Sequence, residues 1–157
     1  MAIIFDANRK IFTIHTKHTT YQMQADAKGY LLHLYYGVRV KGTMDYLLCY
    51  ADHGFSGNPY AAGMDRTYSL DALPQEYPSL GTGDCRNIAL NITSAVGTEC
   101  CDPIFNSYKI TKGKYSLQGL PAVWAADDEA ETLEIVLKDD LTQVEIHLLY
   151  GVLEDAD

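Results

Sequence analysis

Apolar and polar residues alternate along much of this chain, and that period of two decides which folds are open to it. In Thr20–Asp26 (TYQMQAD), Tyr21, Met23 and Ala25 interleave with Gln22, Gln24 and Asp26. Successive side chains of a strand point to opposite faces, so this pattern describes a half-buried β-strand. The turn signal DAKG follows, then the mostly apolar YLLHLYYG, which predicts a hairpin of Tyr21–Asp26 with Tyr30–Tyr36. Near the other end, Leu133, Ile135 and Leu137 share one face, and Val144, Ile146, Leu148 and Tyr150 share another. KDDLTQ lies between them as a polar hairpin connection. Further short strands are predicted at Ile3–Asp6, Lys10–His15, Asp45–Tyr50, Ile88–Ile92, Ser107–Thr111 and Glu129–Leu137. No window keeps apolar residues at i, i+3, i+4 and i+7, so helices are not expected. Short strands separated by Gly, Pro, Asp and Asn indicate an all-β, antiparallel sandwich or barrel.

A chain of 157 residues is long enough to bury a core without disulfide or metal support, and one domain over 1–157 is expected. The formal net charge of −9 comes without any cluster of Lys and Arg, which argues against a nucleic-acid partner. No apolar run of about 20 residues is present, so no membrane-spanning helix is expected. MAIIFDANRK lacks the basic start and apolar core of a secretory signal, which makes the cytoplasm the expected compartment. Cys49, Cys85, Cys100 and Cys101 lack metal-site spacing and read as reduced, partly buried thiols. Neither a metal nor another cofactor is expected.

Local chemistry narrows the function less. His15 and His18 fall on opposite faces of a strand, and His147 reads as an outer-face residue. No GxSxG elbow is present, and GTGDC at Gly81–Cys85 lacks the lysine of a phosphate loop. With 21 acidic residues some carboxylate pair always lies close, so acid pairs alone carry no information on catalysis. The stretch Asp52–Pro78 (DHGFSGNPYAAGMDRTYSLDALPQEYP) is different. It is aperiodic, too long for an ordinary connection and too aromatic for a flexible linker. Carboxylates at Asp52, Asp65 and Asp71, a guanidinium at Arg66 and rings at Phe55, Tyr60 and Tyr68 form a mixture that suits carbohydrate. The same residues also suit an ion pair that merely ties the loop down.

Four motifs then point to a family: Asp52–Pro59 (DHGFSGNP), Asp65–Asp71 (DRTYSLD), Leu73–Pro78 (LPQEYP) and Gly81–Arg86 (GTGDCR). Together with MAIIFDANRKIFTIHTKHTTYQMQ, YLLHLYYG, GKYSLQGLPAVWA and ETLEIVLKD, they resemble the N-terminal domain of glycoside hydrolase family 36 α-galactosidases, those of low-GC Gram-positive bacteria especially. The resemblance runs over essentially the whole chain. It implies a β-supersandwich that precedes a catalytic (β/α)8 barrel and a small C-terminal β-domain. The activity implied is retaining hydrolysis of terminal α-galactosyl residues in sugars of the melibiose, raffinose and stachyose class. The barrel's two catalytic aspartates have no counterpart here, so the chain is expected to contain no catalytic residue and to be inactive alone. It also implies that LLYGVLEDAD is where family sequences run on, so the chain reads as the first part of a longer protein. Its expected partners are its own barrel and neighbouring subunits of a homotetramer, in which this loop reaches a neighbour's active site. Carried over by motif, the substrate-binding residues are Asp52, Phe55 and Arg66. The chain departs from that pattern at His53, where many relatives have Arg, and at Ala62, where several have Asp, two positions that bear on the loop's contacts. The alternative is a free-standing carbohydrate-binding β-sandwich module.

Overall fold

The computed structural model describes residues 2–54, 57–126, 128–153 and 155–156. Among them are seven strands and two single-turn 3-10 helices. The first sheet carries β1 (Ile3–Asp6), β2 (Ile11–His15), β3 (Thr19–Ala25) and β4 (Leu31–Val38), paired antiparallel in chain order. The second carries β5 (Ile104–Lys112), β6 (Ala130–Lys138) and β7 (Glu145–Leu153), also antiparallel and in chain order. Both expected hairpins are present, with Tyr21 opposite Tyr36 and Leu137 opposite Ile146.

The two sheets face each other across one apolar layer. Ile3, Phe12, Ile14, Met23 and Leu31 from the first sheet meet Leu133, Ile135, Leu137 and Val152 from the second. Aromatic rings cross the same gap: Phe5 to Tyr108 at 4.3 Å between centroids, and Phe12 to Phe105 at 5.8 Å. The period-two residues of β3 and β6 therefore do as the pattern requires, and the architecture is an antiparallel β-sandwich.

Two expected strands do not form. Asp45–Tyr50 holds a 3-10 turn at Asp45–Leu47 instead. Residues 39–48 cross the outer face of β2 and β3, where buried Gln22 donates to Gly42 O at 3.0 Å and accepts from Met44 N at 2.9 Å. Arg9 clamps the same strap through Thr43 and Asp45. Gln22 is polar yet wholly buried because a covering segment satisfies its amide. Ile88–Ile92 makes only an isolated parallel bridge, Leu90 to Ser79. Its backbone is held by a loop contact, Ala89 N to Pro78 O at 2.8 Å, rather than by a ladder.

The long connection between β4 and β5 is folded rather than loose. Ala62, Tyr68, Leu70 and Leu73 bury themselves against Tyr30 and Leu32, making a second apolar cluster on the far side of β4. Adjacent residues Leu31 and Leu32 serve different cores, so β4 is covered on both faces. All four cysteines are free thiols, three exposed and Cys101 buried. Among the described residues, no helix is long and apolar enough to cross a membrane.

Candidate functional site

Four polar anchors fix the loop from Asp52 to Pro78 and the base on which it packs. Asp26, in the β3–β4 turn, is the first. Its carboxylate accepts from Lys28 N at 2.8 Å and Tyr30 N at 2.9 Å, and it takes the buried Tyr68 hydroxyl. Burial, reinforced by that hydrogen bond, pushes the Tyr68 phenol far above its ordinary range and keeps it a donor. Tyr30 repeats the device, donating to Asp102 at 2.9 Å.

Arg86 is the third anchor. One guanidinium nitrogen donates to Leu70 O at 2.8 Å and Leu73 O at 2.7 Å, while Nε and Nη2 also engage Asp84. Asp84 is buried and receives Gln75 Nε2 as well, at 2.8 Å. The Arg86 hydrogen bonds hold the Asp84 carboxyl below the usual carboxylate range. Glu76 is the fourth. It accepts from Tyr21 at 2.6 Å and Tyr150 at 2.8 Å, and lies 3.5 Å from His33 Nδ1. One carboxylate thus ties the end of the loop to both sheets.

The GTGDCR motif also supports the tip directly. At Gly83, φ is +92°, and a Cβ there would lie 2.4 Å from Gly57 O. Only glycine lets the two backbones approach so closely. Gly83→Ala is expected to cost about 1–3 kcal/mol of strain and to loosen residues 52–66. Amide hydrogen exchange over that segment checks this; unchanged protection would count against the support.

On this base stands the tip. Asp52 Oδ1 accepts from Gly54 N at 2.7 Å and from Arg66 Nη2 at 3.2 Å. The pair is open, with 50% of the Asp52 and 64% of the Arg66 side chain exposed. Nearby, Asp65 accepts from the Thr67 amide and hydroxyl, which lowers its pKa, and Asn58 donates to Asp65 O. Lys28 spans the root, donating to Ala61 O at 2.8 Å with its ammonium 5.7 Å from the Tyr68 ring centre.

Of the residues expected to bind substrate, Asp52 and Arg66 are brought together, while Phe55 lies outside the described residues. An exposed ion pair contributes little to stability, so its two groups remain available to another hydrogen-bonding partner. The carboxylate suits sugar hydroxyl donors and the guanidinium suits their oxygens. Both groups stand open to solvent, and no group of three or more metal-ligating side chains occurs among the described residues. Sequence reasoning missed Asp26, Glu76 and the Asp84–Arg86 pair. The available signal was their place inside the quoted motifs or beside a turn, where a charged residue must be held by something.

Comparison with known proteins gives a consistent result. Residues 29–157 match the model of the glycosyl hydrolase family 36 N-terminal domain. The chain is 72% identical, over its whole length, to the bifunctional alpha-galactosidase/sucrose kinase AgaSK of Mediterraneibacter gnavus, of which it covers 17%. It is 39% identical to alpha-galactosidase Mel36A of Lactobacillus acidophilus over 98% of its own length, covering 21% of that protein. The solved galactosidase domain of AgaSK superposes with a TM-score of 0.96 over 98% of this chain and 21% of that one. Alpha-galactosidase AgaA of Geobacillus stearothermophilus, solved in complex with raffinose, gives 0.86 at 39% identity over 92% of this chain and 20% of that one. The chain therefore spans about a fifth of the length of these relatives.

Proposed function

The chain belongs to the glycosyl hydrolase family 36 N-terminal domain family, and from that premise we propose that it serves a retaining α-galactosidase acting on raffinose-type oligosaccharides. Its part is to present the Asp52–Arg66 pair to the galactosyl substrate, with Phe55 as a further substrate-binding residue, while the acid, base and nucleophile come from a catalytic barrel. The observation that carries this reading is the open ion pair itself, held on a loop that hydrogen bonds through Asp26, Arg86 and Glu76 tie to the sheets and the neighbouring loop. AgaA of G. stearothermophilus has been solved with raffinose and, in another variant, with stachyose, which supports the substrate class. An open pair of this kind completes a pocket formed elsewhere. On this reading the enzyme is a homotetramer in the cytoplasm, each loop reaching a neighbouring subunit.

Two measurements test the proposal. The isolated chain should release no nitrophenol from p-nitrophenyl α-galactoside, because positioning and acid–base assistance supply most of the acceleration and neither is present. The same chain, exchanged for the matching region of the M. gnavus relative, should give an active enzyme. Turnover by the isolated chain, or a folded but inactive chimera, would overturn the reading.

A further inference from the structure

Two contacts close the long loop, one set two residues below the other. Asp52 meets Arg66, and two residues nearer the frame on each side Tyr50 meets Tyr68. The two tyrosine rings lie 6.0 Å apart, centre to centre, with 24° between their planes, which is an offset stack. They are held very differently. Tyr68 is buried in the second apolar cluster with its hydroxyl on Asp26, and Tyr30 continues the row of rings at 6.3 Å. Tyr50 is 45% exposed, on a stretch, residues 48–53, that belongs to no strand or helix. Burial first and the Asp26 carboxylate second raise its phenol above the ordinary value, so the hydroxyl stays uncharged.

We propose that Tyr50 is a positioning residue for substrate binding, its ring on Tyr68 setting the Asp52 carboxylate against Arg66; the inference rests on the function proposed above. The path of support favours it. Asp52 accepts from Gly54 N and from Arg66, both within the loop, and neither bond reaches a sheet. The stack does, from Tyr50 through the Tyr68 hydroxyl to Asp26 in the β3–β4 turn. Arg66 draws on the same ring, standing two residues before Tyr68. Both partners of the exposed pair therefore take their place from one stacked pair of rings. A substrate-binding carboxylate must be held to within about 0.5 Å of its productive place by neighbours whose own side chains are locked. An exposed ion pair holds its own geometry only weakly. A flat ring laid on a buried flat ring supplies the lock, and the ring rather than the hydroxyl does so.

Steady-state kinetics on raffinose in the active M. gnavus chimera test this, arranged as a double-mutant cycle with Asp52→Asn. Tyr50→Ala alone should raise KM about 5- to 10-fold and leave kcat within about two-fold of the parent. Tyr50→Phe keeps the ring and should stay within about two-fold of the parent in both constants. In the Asp52→Asn background the charge to be positioned is already gone, so Tyr50→Ala should add less than about two-fold to KM. Should the alanine variant not fold, Tyr50→Leu, which keeps apolar bulk against Tyr68 but not a flat ring, carries the same comparison. A full-sized effect in the Asp52→Asn background would overturn the inference, Tyr50 then acting on the sugar or on the fold by itself. A phenylalanine variant as impaired as the alanine one would overturn it as well. Parent-like KM without the ring, beside a large Asp52→Asn effect, would overturn the positioning alone and leave the proposed function standing. Unchanged KM in Asp52→Asn would overturn both.

Discussion

Replacing Glu76 by Ala is expected to lower the stability of the domain by about 3–5 kcal/mol, a large share of the 5–15 kcal/mol typical of a small protein. The reason lies in what the carboxylate joins. Tyr21 belongs to β3 of the first sheet, Tyr150 to β7 of the second, and Glu76 to the end of the long loop. Its removal leaves two phenol hydroxyls in a largely buried region without their acceptor, and a gap where the side chain stood. A buried donor stripped of its acceptor costs about 1–3 kcal/mol, and the gap adds lost contacts. Glu76→Gln keeps the volume and one acceptor oxygen, so it should cost only about 1–2 kcal/mol. Urea unfolding of the three proteins checks this ordering. A Glu76→Ala midpoint within error of the parent would mean that the carboxylate does not join the sheets.

The second large effect is expected in alkali. Tyr21, Tyr30, Tyr68 and Tyr150 all have their pKa raised, burial being the first cause in each and a neighbouring carboxylate the next. A phenol with a folded pKa above its unfolded one keeps its proton in the native state while the unfolded chain releases it. The stability it contributes is therefore complete below the unfolded value of about 10 and is lost as pH climbs beyond it. Each fully protected phenol loses about 1.4 kcal/mol per pH unit. Tyr30 and Tyr68 are buried and the other two partly so, so the four together should remove about 3–5 kcal/mol by pH 11. Tyrosinate absorbance should show these four phenols ionising only as the fold opens. Complete, reversible ionisation of all the tyrosines with the structure retained would contradict the account.

The sheets were legible in the sequence because alternation and burial coincide there. Leu133, Ile135 and Leu137 lie on the inner face as the pattern requires, and outer-face His147 bonds to Glu134 at 2.7 Å. Reading failed where a segment packs as a cover. Residues 45–50 look like a strand from composition, yet the strap over Gln22 needs a turn there. The second core was equally hidden. Tyr68, Leu70 and Leu73 have no periodicity of their own, and what buries them is the far side of β4. At the candidate site the residue types were visible, but the meeting of Asp52 with Arg66 was not. That meeting depends on anchors drawn from Asp26, Arg86 and a glycine in another motif, which no local pattern specifies.

The contrast between Glu76 and Asp52 separates framework from function. The Asp52–Arg66 pair is exposed, so losing it should change stability by less than about 1 kcal/mol. A hydrogen bond from a sugar hydroxyl to its carboxylate, by comparison, is worth about 1.5–3 kcal/mol. The most direct test is steady-state kinetics on raffinose with the M. gnavus chimera, comparing the parent with Asp52→Asn. The expected result is a KM raised about 10- to 100-fold with an unchanged unfolding midpoint. Unchanged KM and kcat would contradict the claim that this loop touches substrate.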